Sequence, residues 1–120
     1  MPLITADSFR LEQVMINLVD NAIKYTDSGN IILNAFAEAE KVVIEIQDTG
    51  VGIPSEDQAR IFERFYIVDK SRSRKVGGTG LGLSIVKHII LQHKGEINIE
   101  SRKGFGTKFI IKIPILNNTN

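Results

Sequence analysis

Apolar residues recur at helical spacing near the start of the chain. Leu11, Val14, Leu18 and Ala22 predict a helix over residues 7–25 with one buried face. Asp7 or Ser8 is placed to cap its start, and Thr26-Asp27-Ser28-Gly29-Asn30 is a turn cluster. The period then changes to two. Residues 31–37 and 42–48 predict strands, and in the second Val42, Ile44 and Ile46 share one face while Glu45 and Gln47 lie on the other. Asp48 falls on the apolar face, and Thr49-Gly50-Val51-Gly52 breaks the strand. Pro54 leads into a short helix through Phe62, for which Ser55 and Gln58 read as a capping box. Residues 66–79 are irregular, basic and end in glycines. A second long helix is predicted over 81–94, with Ile85, Val86, Ile89 and Ile90 apolar and Gly95 as its stop. Residues 96–101 and 107–114 predict a hairpin around Arg102-Lys103-Gly104-Phe105-Gly106. The expected fold class is α+β: a two-layer α/β sandwich with helices on one face of a mixed, mainly antiparallel sheet.

Composition narrows the function classes. A chain of 120 residues is enough for one domain with one core. The formal charge of +1 gives no bulk electrostatic argument for nucleic acid or a membrane surface, so any recognition is local. There are no cysteines, which excludes disulfides and thiolate metal sites. No apolar run approaches the roughly 20 residues of a membrane span. Residues 1–6 are expected to be a start or linker segment, 7–115 the domain, and 116–120 a polar tail.

Four features ask for a chemical reason. The first is Asp48, because a carboxylate on the inner face of a strand is costly unless it is hydrogen-bonded. It is either a strand end to which solvent returns, or an acceptor for an N–H donor on a buried ligand such as the exocyclic amine of adenine. Gly50 and Gly52 would then let the backbone approach that ligand. The second is NLVDNAIKY, residues 17–25. Asn17, Asn21 and Lys24 form one helical stripe with Asp20 beside it. The stripe is a solvated face, or else it offers amide oxygens to Mg²⁺ and a lysine to phosphate oxygens. The third is the basic run Lys70-Ser71-Arg72-Ser73-Arg74-Lys75 before GGTGLGLS, residues 77–84. This glycine run misses the Walker A pattern because Leu83 sits where its lysine belongs, and Leu83 also breaks the dinucleotide pattern. Glycines 77, 78, 80 and 82 still provide a hinge and backbone N–H groups at a helix start. The fourth is FERFY, residues 62–66, where Phe62 and Phe65 are expected to pack. Arg64 is expected either to face a nucleotide or to pair with an acid.

Taken in order, NLVDNAIKY, DTGVGI (48–53), FERFY, GGTGLGL (77–83) and GFGT (104–107) resemble the N, glycine and F boxes of the ATP-binding catalytic domain of bacterial sensor histidine kinases. That domain is one of the Bergerat-fold ATPases. The resemblance runs from about residue 7 to 114. It implies that Asn21 coordinates Mg²⁺, with Asn17 one turn before it, that Lys24 contacts phosphate, and that Tyr25 lies near the purine. It implies that Asp48 binds adenine with Gly50 and Gly52 beneath the base, Ile53 beside them, and Thr107 on the adenine side. Residues 66–82 correspond to a mobile ATP lid. Its Gly78, Thr79, Gly80, Leu81 and Gly82, with Leu83, lie close to the phosphates, and its Lys70 and Arg72 supply charge. Asn17, Lys24 and Arg64 make up the catalytic set. The family commonly reads F-Y-R after the F box, with the arginine on the γ-phosphate. Here that position is Ile67, so either Arg64, Lys70, Arg72 or Arg74 substitutes or the γ-phosphate contact is weakened, and substitution from the lid is expected.

Relatives that hydrolyse ATP use a glutamate one turn before the metal asparagine. Asn17 cannot take a proton there, and a serine acceptor would also want that base. A histidine acceptor is largely neutral and nucleophilic near pH 7, so it needs placement more than activation. The resemblance therefore implies transfer of the γ-phosphate of ATP to a histidine, with ATP or ADP and Mg²⁺ as cofactors. A hydrolase, a serine kinase and a degenerate binding module are the alternatives. His88 and His93 sit in no acceptor-like motif and are read as surface or packing residues. The acceptor belongs to upstream dimerisation helices, and a response regulator receiver domain is an indirect partner. The longer protein is expected to be a homodimer and a membrane-anchored sensor with this domain in the cytoplasm. The chain alone is expected to be a monomer that does not autophosphorylate.

Overall fold

The computed structural model describes residues 8–26, 29–66 and 82–114. Helix α1 is Ser8–Lys24, followed by strands β1, Ile31–Glu38, and β2, Lys41–Asp48. A short helix α2, Ser55–Gln58, precedes helix α3, Gly82–Gln92. Strands β3, Glu96–Arg102, and β4, Gly106–Pro114, close the described chain. The four strands lie in the order β1-β2-β4-β3.

Every described strand pair is antiparallel, so the mixed sheet expected from the sequence becomes a purely antiparallel one over these residues. The register aligns the inner faces into rows: Leu33, Ile46, Phe109 and Ile99 form one, and Ala35, Ile44, Ile111 and Ile97 the next. The last row, at the end of the sheet, is Ile31, Asp48, Thr107 and Ser101. Apolar rows thus give way to a polar one.

The two long helices cover the inner face. Val14, Leu18 and Ala22 of α1 and Val86, Ile89 and Ile90 of α3 are buried against Ile46, Phe109, Ile111 and Ile113. Fully burying a side chain of this size contributes about 1.5–3 kcal/mol. The helices run antiparallel, since Arg10 Nη1 donates to Gln92 Oε1 at 2.8 Å at one end and Asn17 reaches Gly82 at the other. They cover β2, β4 and β3 more than β1, all eight residues of which are exposed. Ile16 and Ile23 on the outer flank of α1 are also exposed.

Four local expectations are corrected. The helix expected to run through Phe62 ends at Gln58 and continues as turns, with Arg60, Glu63 and Tyr66 each donating an N–H to the carbonyl three residues back. The capping box does not form. Pro54 occupies the N-cap with no side-chain bond, because the Gln58 amide donates instead to Ile53 O at 2.9 Å and Ser101 O at 3.0 Å. Phe62 packs edge-on against Phe109, at 6.3 Å between centroids, but Phe65 is 62% exposed with φ 65°. The chain turns outward at that residue. At the end of α3, the stop is Lys94 rather than Gly95. Lys94 takes φ 59°, and Gly95 N–H closes back on Ile90 O at 3.0 Å while Lys94 N–H bonds Leu91 O, a Schellman arrangement with lysine in the left-handed position.

Candidate functional site

The polar row at the end of the sheet is where three segments meet. Asp48, 6% exposed, ends β2, and Thr107, 7% exposed, stands opposite it on β4. The Asp48 carboxylate accepts Gly50 N–H at 2.9 Å and Thr107 N–H at 3.3 Å, both on Oδ1. Among the described residues neither backbone bond falls on Oδ2. Burial pushes the Asp48 pKa up from its ordinary value, and the two backbone N–H bonds pull it partly back. Asp48, Thr107, Ser101 and Phe105 line a recess of about 320 Å³ together with polar residues of the outer sheet face.

The loop after Asp48 is pinned from two sides. Val51 N–H donates to Tyr25 O at 3.1 Å, tying it to the end of α1, and Gly104 N–H donates to Val51 O at 2.7 Å, tying it to the β3–β4 turn. The sequence pattern suggests a ligand-facing reason for these glycines. The structure adds a nearer one: a Cβ on Gly50 would stand 2.1 Å from Tyr25 O, and one on Gly52, at φ +72°, 2.0 Å from Arg102 O. The glycines let three strands of backbone converge. Beside Gly50, Thr26 Oγ1 is buried without a hydrogen-bond partner.

The α1 stripe runs toward the same end. Asn17 and Asn21 are half-buried, and Asn17 Nδ2 lies 3.5 Å from Gly82 O, which orients its amide toward the first turn of α3. Lys24 pairs with Asp20 at 2.9 Å, a partly exposed pair of the kind that contributes about 0.3–0.5 kcal/mol. Tyr25 is half-buried at the helix end, and Ile53 packs partly against the core. Leu83 turns its side chain into the core from α3. Arg64 is exposed with its guanidinium 5.6 Å from the Phe65 ring centroid. Among the described residues it makes no hydrogen bond or ion pair to Asp48, Thr107 or Ser101. Lys70, Arg72, Gly78, Thr79, Gly80 and Leu81, with Ile67 and most of the expected lid at 66–82, lie outside the described residues.

Ser101 went unnoticed in the sequence. Its Oγ accepts Ile53 N–H at 2.8 Å, donates to Gly106 O at 2.9 Å, and lies 2.8 Å from Thr107 Oγ1. The available signal was period two: Ile97, Ile99 and Ser101 share the inner face of β3, which sets this half-buried hydroxyl beside Thr107. Tyr66 was also missed as an anchor. Its hydroxyl donates to Asp57, and the Arg60 guanidinium stacks 4.5 Å over its ring while pairing with Glu63.

The residues present suit a purine nucleotide. A buried acceptor, a glycine-lined loop and an orphaned hydroxyl sit at one end, and amide and ammonium groups extend from it along α1. Among the described residues no group of three His, Cys, Asp or Glu side chains is placed to hold a metal. A divalent ion would therefore share phosphate oxygens and take the Asn21 amide oxygen.

The chain is similar to known proteins over most of its length. Residues 6–117 match the family model described as histidine kinase-, DNA gyrase B-, and HSP90-like ATPase. The sensor histidine kinase YclK of Bacillus subtilis is 44% identical over 114 residues, which is 94% of this chain and 24% of that protein. The circadian input-output histidine kinase CikA of Synechococcus elongatus is 43% identical over 91% of this chain and 15% of its own length. Among solved structures, full-length ShkA in complex with AMPPNP superposes with a TM-score of 0.83 at 34% identity, over 98% of this chain and 24% of that one. The nucleotide-free catalytic domain of the histidine kinase ThkA superposes at 0.78 with 38% identity, over 93% of this chain and 70% of that one.

Proposed function

The chain belongs to the family of histidine kinase-, DNA gyrase B-, and HSP90-like ATPases as an ATP-binding catalytic domain of the sensor histidine kinase type, and from that premise we propose that it binds Mg-ATP at the Asp48 end of the sheet and donates the γ-phosphate to a histidine on upstream dimerisation helices of a longer sensor. The observation that carries this reading is the Asp48 carboxylate, buried on an otherwise apolar face with one oxygen held by backbone and the other open to a donor. A hydrogen bond from an adenine amine to that charged acceptor contributes about 1.5–3 kcal/mol.

From the base, the nucleotide extends along α1. Tyr25 flanks the purine, Lys24 releases Asp20 to contact phosphate, and Asn17 and Asn21 present amide oxygens. Asn21 would help to hold Mg²⁺, which when bound would supply positive charge against that developing on the phosphates. Arg64 and the lid cations Lys70 and Arg72 complete the charge around the γ-phosphate. Asn17 offers no proton acceptor for water, which favours transfer to a neutral imidazole over hydrolysis. ShkA, whose structure holds the ATP analogue AMPPNP, supports nucleotide binding here. The chain spans 24% or less of its sensor kinase relatives, in keeping with an acceptor, sensor segment and membrane anchor elsewhere in a longer homodimeric protein. Among the described residues no helix is long and apolar enough to cross a membrane. Relay to a response regulator follows from the histidine.

Calorimetric titration of this chain with ATP and ADP, with and without Mg²⁺, tests the reading. Binding is expected, with a gain in folding stability of about 2.7 kcal/mol at 100 times Kd. Asp48→Asn is expected to remove most of it. Undiminished binding by that variant would overturn the adenine assignment.

A further inference from the structure

Ser101, Thr107 and Asp48 stand side by side on β3, β4 and β2 in the last row of the sheet. Their hydroxyl protons can be counted. Ser101 has one proton and three polar partners. The Gly106 carbonyl, at 2.9 Å, can only accept, so it takes the Ser101 proton. The Ile53 N–H, at 2.8 Å, can only donate, so it fills one Ser101 lone pair. The third contact, 2.8 Å to Thr107 Oγ1, must then be Thr107 donating to Ser101. Thr107 has no other proton on its side chain. Its side chain is therefore left with lone pairs alone for any ligand, and Thr107 stands opposite Asp48 in the last row, both lining the recess.

We propose that Ser101 is a positioning residue that sets base specificity: by holding the Thr107 proton it makes Thr107 an acceptor, so that Thr107 and Asp48 together admit a 6-amino purine and reject a 6-oxo purine. The inference rests on the ATP-binding reading of this site. A 6-amino group has two N–H donors for two acceptors. A 6-oxo oxygen placed there meets lone pairs on both sides, loses its water and gains no donor. The orientation of Ser101 is itself held by backbone on both sides, and Gln58, bonded to both Ile53 O and Ser101 O, clamps the loop that supplies the Ile53 donor. Thr107 thus cannot turn its proton toward the recess without breaking its bond to Ser101.

The test is the ratio of dissociation constants for ITP and ATP, measured on this chain with Mg²⁺ by competition against a fluorescent ATP analogue. The unsubstituted chain is expected to favour ATP strongly. In Ser101→Ala, Thr107 recovers its proton for a 6-oxo oxygen, and the ratio is expected to fall about tenfold. Ser101→Thr keeps the hydroxyl and is expected to keep the ratio. Thr107→Val removes the second acceptor by another route and is also expected to lower it, which covers the case of a Ser101→Ala chain that does not fold. A ratio unchanged in either Ser101→Ala or Thr107→Val, with both nucleotides weakened alike, overturns the inference and leaves Ser101 as a brace of the β3–β4 turn. Failure of the unsubstituted chain to bind ATP overturns the underlying function and this inference with it.

Discussion

Asp48 has opposite effects on the empty and the occupied domain. Burial raises its pKa above the ordinary 3.8, and the N–H groups of Gly50 and Thr107 offset this only in part. The folded chain therefore holds the Asp48 proton more tightly than the unfolded chain. Ionisation takes stability away as pH rises between the unfolded and folded values, and the loss is complete above the folded value. Asparagine keeps an oxygen for Gly50 and Thr107 but never ionises. Unliganded Asp48→Asn is thus expected to melt above the parent at neutral pH, with the difference vanishing as pH falls below 3.8. Thermal melts across that range check it, and a difference independent of pH would refute it. The same substitution that steadies the empty domain removes the acceptor proposed for adenine, a trade between stability and function.

At the scale of elements, the end of α3 carries a correctable strain. Lys94 holds φ 59° where a Cβ is disfavoured. Lys94→Gly is expected to stabilise the domain by about 0.5–1 kcal/mol, read from urea denaturation. A destabilisation would mean that the lysine side chain contributes more than its backbone costs. Such details mark where sequence reading stops. The core helices and strands were legible because Leu18, Val86 and Ile46 obey simple periods, and Asp48 stood out because it broke one. The capping box at Ser55 failed for a non-local reason: Gln58 found its partners on β3 and in the loop. Phe65 has the right residue type for a core but sits where the backbone turns outward. Ser101 is ordinary as a strand residue, and only the register of β3 against β4 sets it beside Thr107. Local pattern fixes the elements, whereas site polarity depends on which rows align between them.

Over the whole molecule, cohesion is uneven. β2 and β4 lie at the centre of the sheet, and the buried residues of α1 and α3 close over them. Asp48 and Thr107, the centre of the proposed ligand row, therefore rest on the firmest part of the domain, which suits a site whose donors and acceptors must hold fixed directions. β1 is different: it is exposed along its length, bonded to β2 alone among the described strands, and carries Ile32, Leu33 and Phe36 toward solvent. Such an edge opens without disturbing the core. In deuterium-exchange experiments its amides are expected to split by alternation, those facing away from β2 labelling at once and those facing it more slowly. Even the slower set should exchange before the amides of β4, and addition of nucleotide should deepen protection at 48–52 and 106–108 while leaving β1 unchanged. Uniform protection across β1 and β4 would contradict this. The outer strand of the sheet would then be part of one cooperative unit with the nucleotide site, rather than a margin that breathes independently of it.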